Sequence, residues 1–339
     1  MVESLFIFGN GLGRAISNDY FSLERVLRDA WDSGDVLTDR QKQLIQSCLS
    51  EDVLDDEEVA PTSEAELDDL HRVLSACDTI RSFEDRIPGQ DGNWLSQLGL
   101  EFPAAIRRYI HNAACRFNSA APGLLDANER CLPDMFEQAL RTYIMDVGAH
   151  IATLNYDDLL YECFSETEVF QKIRLRDGFF NGKFDFPRHE GYYNPTQEGW
   201  FLHLHGSPLF VNRMNEPRKI NRAELAEYVG VESTHLVLTS VRYKSSVIQS
   251  SEILRVYWTK LKTIVPHCKN IVLVGYGGAD THLNDVLTTI PDDASLRVVE
   301  YDGGSDYHER RNMWVSKLEN CDVKLIRMKD ILQFDDWQN

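Results

Sequence analysis

The sequence predicts an α/β protein built on a doubly wound, mostly parallel sheet. Short apolar runs recur along the chain: Leu5 to Phe8, His150 to Leu154, Ile271 to Val274, Leu296 to Glu300 and Val323 to Met328. The run Ile271-Val272-Leu273-Val274 is uninterrupted and β-branched, the mark of a strand covered on both faces. In the second half of the chain such runs alternate with amphipathic stretches of helical spacing, the pattern of strand-helix-strand units.

The chain has 339 residues, enough to bury a large core as one big domain or two of ordinary size. Its formal charge is −19, which argues against broad binding to phosphate backbones or to anionic lipid, because both draw on Lys and Arg. Direct nucleic-acid binding is therefore not expected. No apolar run approaches the ~20 residues of a membrane span, and Met1-Val2-Glu3-Ser4 has no basic leader character. Seven scattered cysteines (Cys48, Cys77, Cys115, Cys131, Cys163, Cys268, Cys321) form no C-x-x-C pair. They read as reduced thiols of a cytoplasmic protein, mostly core filler.

In chain order, Leu5 to Phe8 is a first strand running into Gly9-Asn10-Gly11-Leu12-Gly13-Arg14. Alternate glycines let the backbone turn tightly and expose N–H groups, as phosphate cradles do. Arg14 stands where a dinucleotide fingerprint has its third glycine, so a plain turn is an equal reading. Residues 17–146 read as helical. Leu23, Val26, Leu27, Ala30 and Trp31 make one apolar stripe. Ile106, Tyr109, Ile110, Ala113 and Phe117 make another behind Pro103. Phe136, Leu140, Tyr143 and Ile144 make a third after Pro133. Between them, the acidic stretch Glu51 to Asp69 holds a capping box, Ser63 with Glu66, and reads as a solvated loop and helix start. Residues 17–146 are expected to form a helical insertion after the first strand, with 1–16 and 147–339 forming the α/β domain.

Asp157 and Asp158 follow the second strand and open a helix through Leu159, Leu160, Cys163 and Phe164. Residues 165–199 are rich in Gly, Pro and aromatics and are expected to be an irregular lid or binding loop. Trp200 to Ser207 is an alternating strand closed by Gly206. A strand at His235 to Thr239 and one helix from Ser246 to Val265 are expected next. Four strand ends then carry polar or glycine-rich turns: Gly9 to Gly13, Asn155 to Asp157, His205 to Ser207 and Gly275 to Asp280. A parallel sheet lines all four along one edge, where open α/β sheets bind ligands.

On these residues the chain resembles the sirtuin-like NAD-binding family. Thr153-Leu154-Asn155-Tyr156-Asp157 resembles its T-x-N-x-D element and Leu204-His205-Gly206-Ser207 its His-Gly element. Gly9-Asn10-Gly11-Leu12-Gly13 is similar to its glycine-rich first loop. Gly275-Tyr276-Gly277-Gly278-Ala279-Asp280 resembles a turn of the bacterial sirtuin-like proteins of antiphage defence. The resemblance spans residues 1–16 and about 148–330. It implies a Rossmann-like sheet. Sirtuin deacylases carry a four-cysteine zinc ribbon that this chain lacks; the zinc-ribbon-less defence members degrade NAD instead, and this chain is more similar to those.

The resemblance implies an NAD glycohydrolase that yields nicotinamide and ADP-ribose and depletes NAD in abortive infection. Cleaving an activated glycosidic bond asks mainly for positioning and electrostatics. By resemblance Asn155 orients the nicotinamide ribose and the attacking water, and His205 is the general base. Asp157 holds the carboxamide or steadies the positive ribose. Gly9, Asn10, Gly11 and Gly13 present the pyrophosphate site with Arg14 beside them, Thr153, Gly275, Tyr276 and Asp280 line the cleft, and Asp302 accepts the adenosine ribose. A non-catalytic NAD or ADP-ribose sensor or scaffold is the alternative. A homo-oligomer is expected, with a HerA-type ATPase or an Argonaute-like protein as possible partners. Each site residue has a structural rival: Asn155 as a helix cap, Asp157 serving the helix dipole, His205 bonded to backbone. His203 and His205 share one strand face, a spacing that metal sites use, but no third ligand is evident and no metal is expected.

Overall fold

The computed structural model describes residues 1–49, 60–84, 95–118, 132–165, 168–172, 174–214, 216–228, 231–238, 241–318 and 321–338. Its strands in chain order are β1 (Ser4–Phe8), β2 (His150–Thr153), β3 (Leu175–Arg176), β4 (Phe179–Phe180), β5 (Lys183–Phe184), β6 (Gly199–His203), β7 (Phe210–Arg213), β8 (Glu216–Lys219), β9 (Asn270–Val274), β10 (Ser295–Tyr301) and β11 (Val323–Met328). Seven of them form the main sheet in the order β11-β10-β9-β1-β2-β6-β3, and every neighbouring pair is parallel. The protein is thus α/β with a Rossmann-like sheet. The winding reverses at β1, whose two neighbours β2 and β9 lie far apart in sequence. Such a switch point opens a crevice at the carboxyl ends of the strands.

Alternation along each strand divides the core in two. Phe6, Phe8, Ile151, Phe201, Val272 and Val274 face one layer, where they pack with Trp31, Tyr109 and Trp337. Leu5, Ile7, Ala152, Leu202, Ile271 and Leu273 face the other, with Tyr257, Leu261 and Trp314. Burying each such side chain contributes about 1.5–3 kcal/mol. The described elements between Ser17 and Asp146 are all helices: Leu23–Asp32, Asp39–Gln46, Glu64–Glu84, Gln97–Cys115 and Asp134–Asp146. They share the first core with the sheet, so they form a layer over it and do not stand off as a lobe. No helix among the described residues is long and apolar enough to cross a membrane.

Several expectations are corrected. Pro103 lies inside the helix Gln97–Cys115, which starts earlier because Ser96 caps it by accepting the Gly99 N–H. His235 to Leu238 is not a strand; only an isolated bridge joins Leu236 to Gly206, and Thr239 lies outside the described residues. The helix expected from Ser246 to Val265 is two helices, Val241–Ser250 and Glu252–Ile264. They part at Ser251, which is extended and caps the second helix through the Leu254 N–H. Residues 165–199 are not simply irregular. They supply the edge strand β3 and two strands of a small antiparallel sheet ordered β4-β5-β8-β7. The alternation at Trp200 to Ser207 ends as strand at His203, and the glycine turn after β1 passes into a helix at Gly11–Ile16. The Glu66 N–H does donate to the Ser63 hydroxyl oxygen, but the Glu66 carboxylate accepts the Thr62 N–H. Glu51 to Val59 and Cys131 lie outside the described residues.

Candidate active site

Thr153 on β2 pairs with His203 on β6, and both chains continue in step past the sheet edge. The Leu154 N–H donates to the Phe8 carbonyl and the Leu204 N–H to the Thr153 carbonyl, each at 2.9 Å. Asn155 and His205 follow at equivalent positions on neighbouring strand ends, which lie about 4.8 Å apart in a sheet. The segment then turns sharply. Thr153 Oγ1 accepts the Asn155 N–H at 3.1 Å, Asp157 Oδ1 accepts the Leu159 N–H at 3.3 Å, and the helix Leu159–Ser165 begins.

Asn155 is buried, and neither its Oδ1 nor its Nδ2 has a hydrogen-bond partner. A buried polar atom without a partner costs about 1–3 kcal/mol, so this amide is a liability to the folded chain alone. It does not cap the following helix; the helix N–H goes to Asp157. An amide offering a donor and an acceptor side by side fits a ligand bearing hydroxyls.

His205 lies at the centre of a buried cluster. Its Nε2 is 2.9 Å from Asp280 Oδ2, and Lys244 Nζ reaches the same oxygen at 2.9 Å and His205 Nε2 at 3.3 Å. Asp280 is the N-cap of the helix Thr281–Leu287, with its Oδ1 accepting the Leu283 N–H at 3.1 Å. Burial raises the Asp280 carboxyl, but the hydrogen bonds and charges of His205 and Lys244 outweigh it and hold the group well below the usual carboxylate range. Burial, then the Lys244 ammonium, lowers His205; Asp280 and the Leu154 backbone oppose this, and the net direction is down. The imidazole is therefore neutral at neutral pH, the state a base requires.

Asp157 and Asp158 are buried side by side. Burial, then the charge of Asp158, pushes Asp157 up to about 7, against the hydrogen bond from Leu159. Burial likewise brings Asp158 up to about 6, with Arg222 opposing. The turn is clamped from the helical layer: Asn118 Oδ1 accepts the Asp158 N–H at 2.7 Å, and its Nδ2 donates to the Tyr156 carbonyl at 3.0 Å. The Tyr156 ring stacks on Phe117 at 5.8 Å, and its hydroxyl donates to the Val237 carbonyl.

The glycines meet each other. A Cβ at Gly9 would come within 2.7 Å of the Gly275 carbonyl oxygen and one at Gly11 within 2.6 Å of Gly275 Cα. Gly275 itself has φ +63°, open to glycine at little cost. The N–H groups of Gly9, Gly11, Leu12 and Arg14 all donate to backbone carbonyls, two of them to Val274 and Gly275. Close approach across the switch point is thus one reason for this glycine pattern. Gly13 packs on the Phe21 ring. Asn10 is exposed, and Arg14 is exposed with its Nε on Asn18. Tyr276 Oη accepts the Asp280 N–H at 3.0 Å and donates to Asn284 Oδ1 at 2.8 Å, so it fixes the turn that presents Asp280. Asp302 is exposed and paired with Arg327 at 2.8 Å. His203 packs among Tyr161, Phe201 and Phe210, and burial lowers it to about 3.

The structure therefore draws Asn155, Tyr156, His205, Asp280 and the Gly9/Gly275 crossing to one edge, while Asn10, Arg14 and Asp302 lie at the surface. Residues 149–317 match the family model of the SIR2-like domain. This stretch of the chain is thus a SIR2-like domain. The match begins at the start of β2 and takes in Asn155, His205, Lys244 and Asp280. The family includes NAD-dependent enzymes, so the domain points to an NAD-related function. No curated protein matches the chain.

Sequence reading missed Lys244, Asn118 and Glu64. Glu64 begins the helix Glu64–Glu84 and is near enough to Lys244 and Asp280 to feel both charges, while burial raises its pKa. On the same helix the His71 ring bonds the Leu238 carbonyl at 3.3 Å. The helical layer thus reaches over the Lys244 and Asp280 cluster. None of these three residues sits in a motif; each becomes visible only when distant segments meet.

Proposed function

We propose that this SIR2-like protein hydrolyses NAD to nicotinamide and ADP-ribose. The observation that carries the reading is the Asn155 amide, buried and unpartnered at the carboxyl edge of the sheet, with His205 at the equivalent position of the neighbouring strand end. The bond between nicotinamide and ribose breaks with its electron pair, and nicotinamide leaves neutral from a pyridinium. Water adds to the ribose carbon, and its proton passes to a base. His205 is that base, acting on the water or on a ribose hydroxyl. Asn155 accepts from one hydroxyl and donates to another oxygen, holding ribose and water together. Asp157, raised to about 7, is shared between its acid and carboxylate forms at neutral pH and suits a carboxamide, which both donates and accepts.

The resemblance to defence proteins supports a role in cytoplasmic NAD depletion during infection, as a homo-oligomer, with an ATPase of the HerA type or an Argonaute-like protein as the partner class. The burial of the site residues agrees with an enzyme that must be triggered, since free turnover would exhaust its host. Incubation with NAD and chromatography of nicotinamide tests the reading. Asn155→Ala and His205→Ala are expected to lose about 100-fold or more of the rate. Absence of nicotinamide release from wild type under every activation condition tried would overturn it. The burial of every central side chain also favours a second reading, binding without cleavage, which calorimetry with NAD and ADP-ribose would reveal as heat without product.

A further inference from the structure

We propose that Lys244 is a positioning residue of this site: its buried ammonium pins the Asp280 carboxylate against Nε2 of His205 and so fixes which ring nitrogen faces the ligand. This assignment rests on the reading of His205 as the base. Lys244 is carried by the helix Val241–Ser250, Asp280 by the cap of Thr281–Leu287 and His205 by the turn after β6. Their side chains are 4%, 6% and 9% exposed. Two chain segments therefore converge on one carboxylate oxygen of a third, each at 2.9 Å.

An ionised carboxylate only accepts hydrogen bonds, so the imidazole nitrogen facing Asp280 carries the proton when the ring is neutral. The lone pair is then on Nδ1. The ammonium and Nε2–H both point at Oδ2, and their 3.3 Å separation is a contact of two donors imposed by the shared acceptor. That contact opposes a second proton on the ring. Without Lys244 the same carboxylate would attract one, turning the base into an imidazolium that has nothing left to accept with. The other groups facing this cluster are Tyr156, whose ring centre is 6.0 Å from that of His205, and the Leu154 backbone, which favours the protonated ring. Glu64 faces Lys244 and Asp280 from the helical layer. Lys244 is the cation that acts on His205 and Asp280 among the described residues.

The test is a pH titration of ring nitrogens by NMR in the full chain labelled with 15N-histidine, using His205→Gln to assign the signals. Wild type is expected to show His205 neutral with the proton on Nε2 near pH 7. Lys244→Met, which keeps the length and apolar stem, should raise the His205 midpoint by about 1–3 pH units, because the Asp280 charge is left unopposed. The acid limb of NAD cleavage should move up by the same amount. Asp280→Asn keeps the helix cap and should move the midpoint the other way, with the Nε2–H preference lost. A wild-type ring protonated at Nδ1 would overturn the proposal, whether or not the variants fold. So would an unmoved midpoint in folded Lys244→Met. If the titrations behave as expected and no protein cleaves NAD, the hydrolase reading fails and the role of Lys244 stands.

Discussion

Replacing Asn155 by leucine should make the protein more stable and inactive at once. The amide has two polar atoms enclosed in the fold with nothing to bond. Each unmatched atom costs about 1–3 kcal/mol, and leucine keeps the branching and heavy-atom count of the side chain without either liability. Steric adjustment takes some of this back, since fitting a larger side chain into a packed core costs about 1–3 kcal/mol. A net gain of about 2 kcal/mol follows, equivalent to a few degrees in melting temperature for a chain of this size. Thermal melts and urea titrations at pH 7, run with and without NAD, provide the assay. Wild type should gain stability from NAD, and Asn155→Leu should start higher and respond less. A melting temperature equal to or below that of wild type would refute the reasoning. It would mean that the amide is satisfied in the free protein, by buried water for instance, and does not await a ligand.

Asp157→Asn should stabilise the protein above neutral pH. Folding raises this carboxyl from 3.8 to about 7, so the native state binds a proton more tightly than the unfolded chain, and wild type loses stability as pH rises through that window. The difference between variant and wild type, read from urea titrations, should be largest near pH 8 and fade towards pH 4. Gly206→Ala should cost at least about 2 kcal/mol and loosen the His205 turn. Gly206 has φ +83°, and a Cβ there runs into the His235 carbonyl oxygen. Chemical denaturation should show the loss. Asp177→Ala should cost about 3–5 kcal/mol by the same measure, because it leaves the Lys219 ammonium without its counter-charge among aromatic rings, with only the Tyr161 hydroxyl to donate to.

The sequence by itself determined the sheet. Runs such as Ile271 to Val274 have one low-energy use, a strand buried on both faces, and their alternation with helical stretches leaves only a parallel order. It also determined that the turns after β1, β2, β6 and β9 share an edge, since every strand of a parallel sheet points the same way. That is why Asn155 and His205 were legible as a pair 50 positions apart in the chain. Local signals failed where longer-range contacts outweighed them. Ser251 breaks a helical pattern because its hydroxyl also bonds His235, and His235 to Leu238 has strand composition but finds only Gly206 to pair with.

Only the tertiary structure decided how the site is charged and covered. Lys244 is an ordinary lysine in an ordinary helix until packing removes its water and sets it 2.9 Å from Asp280. Asp157 and Asp158 are unexceptional acids until burial raises them, and the glycines at 9, 11 and 275 look like a ligand cradle until two backbones are seen to cross there. Backbone hydrogen bonding and side-chain alternation are local and leave a periodic trace in the sequence. Electrostatics and desolvation depend on what comes near in space, and they leave none.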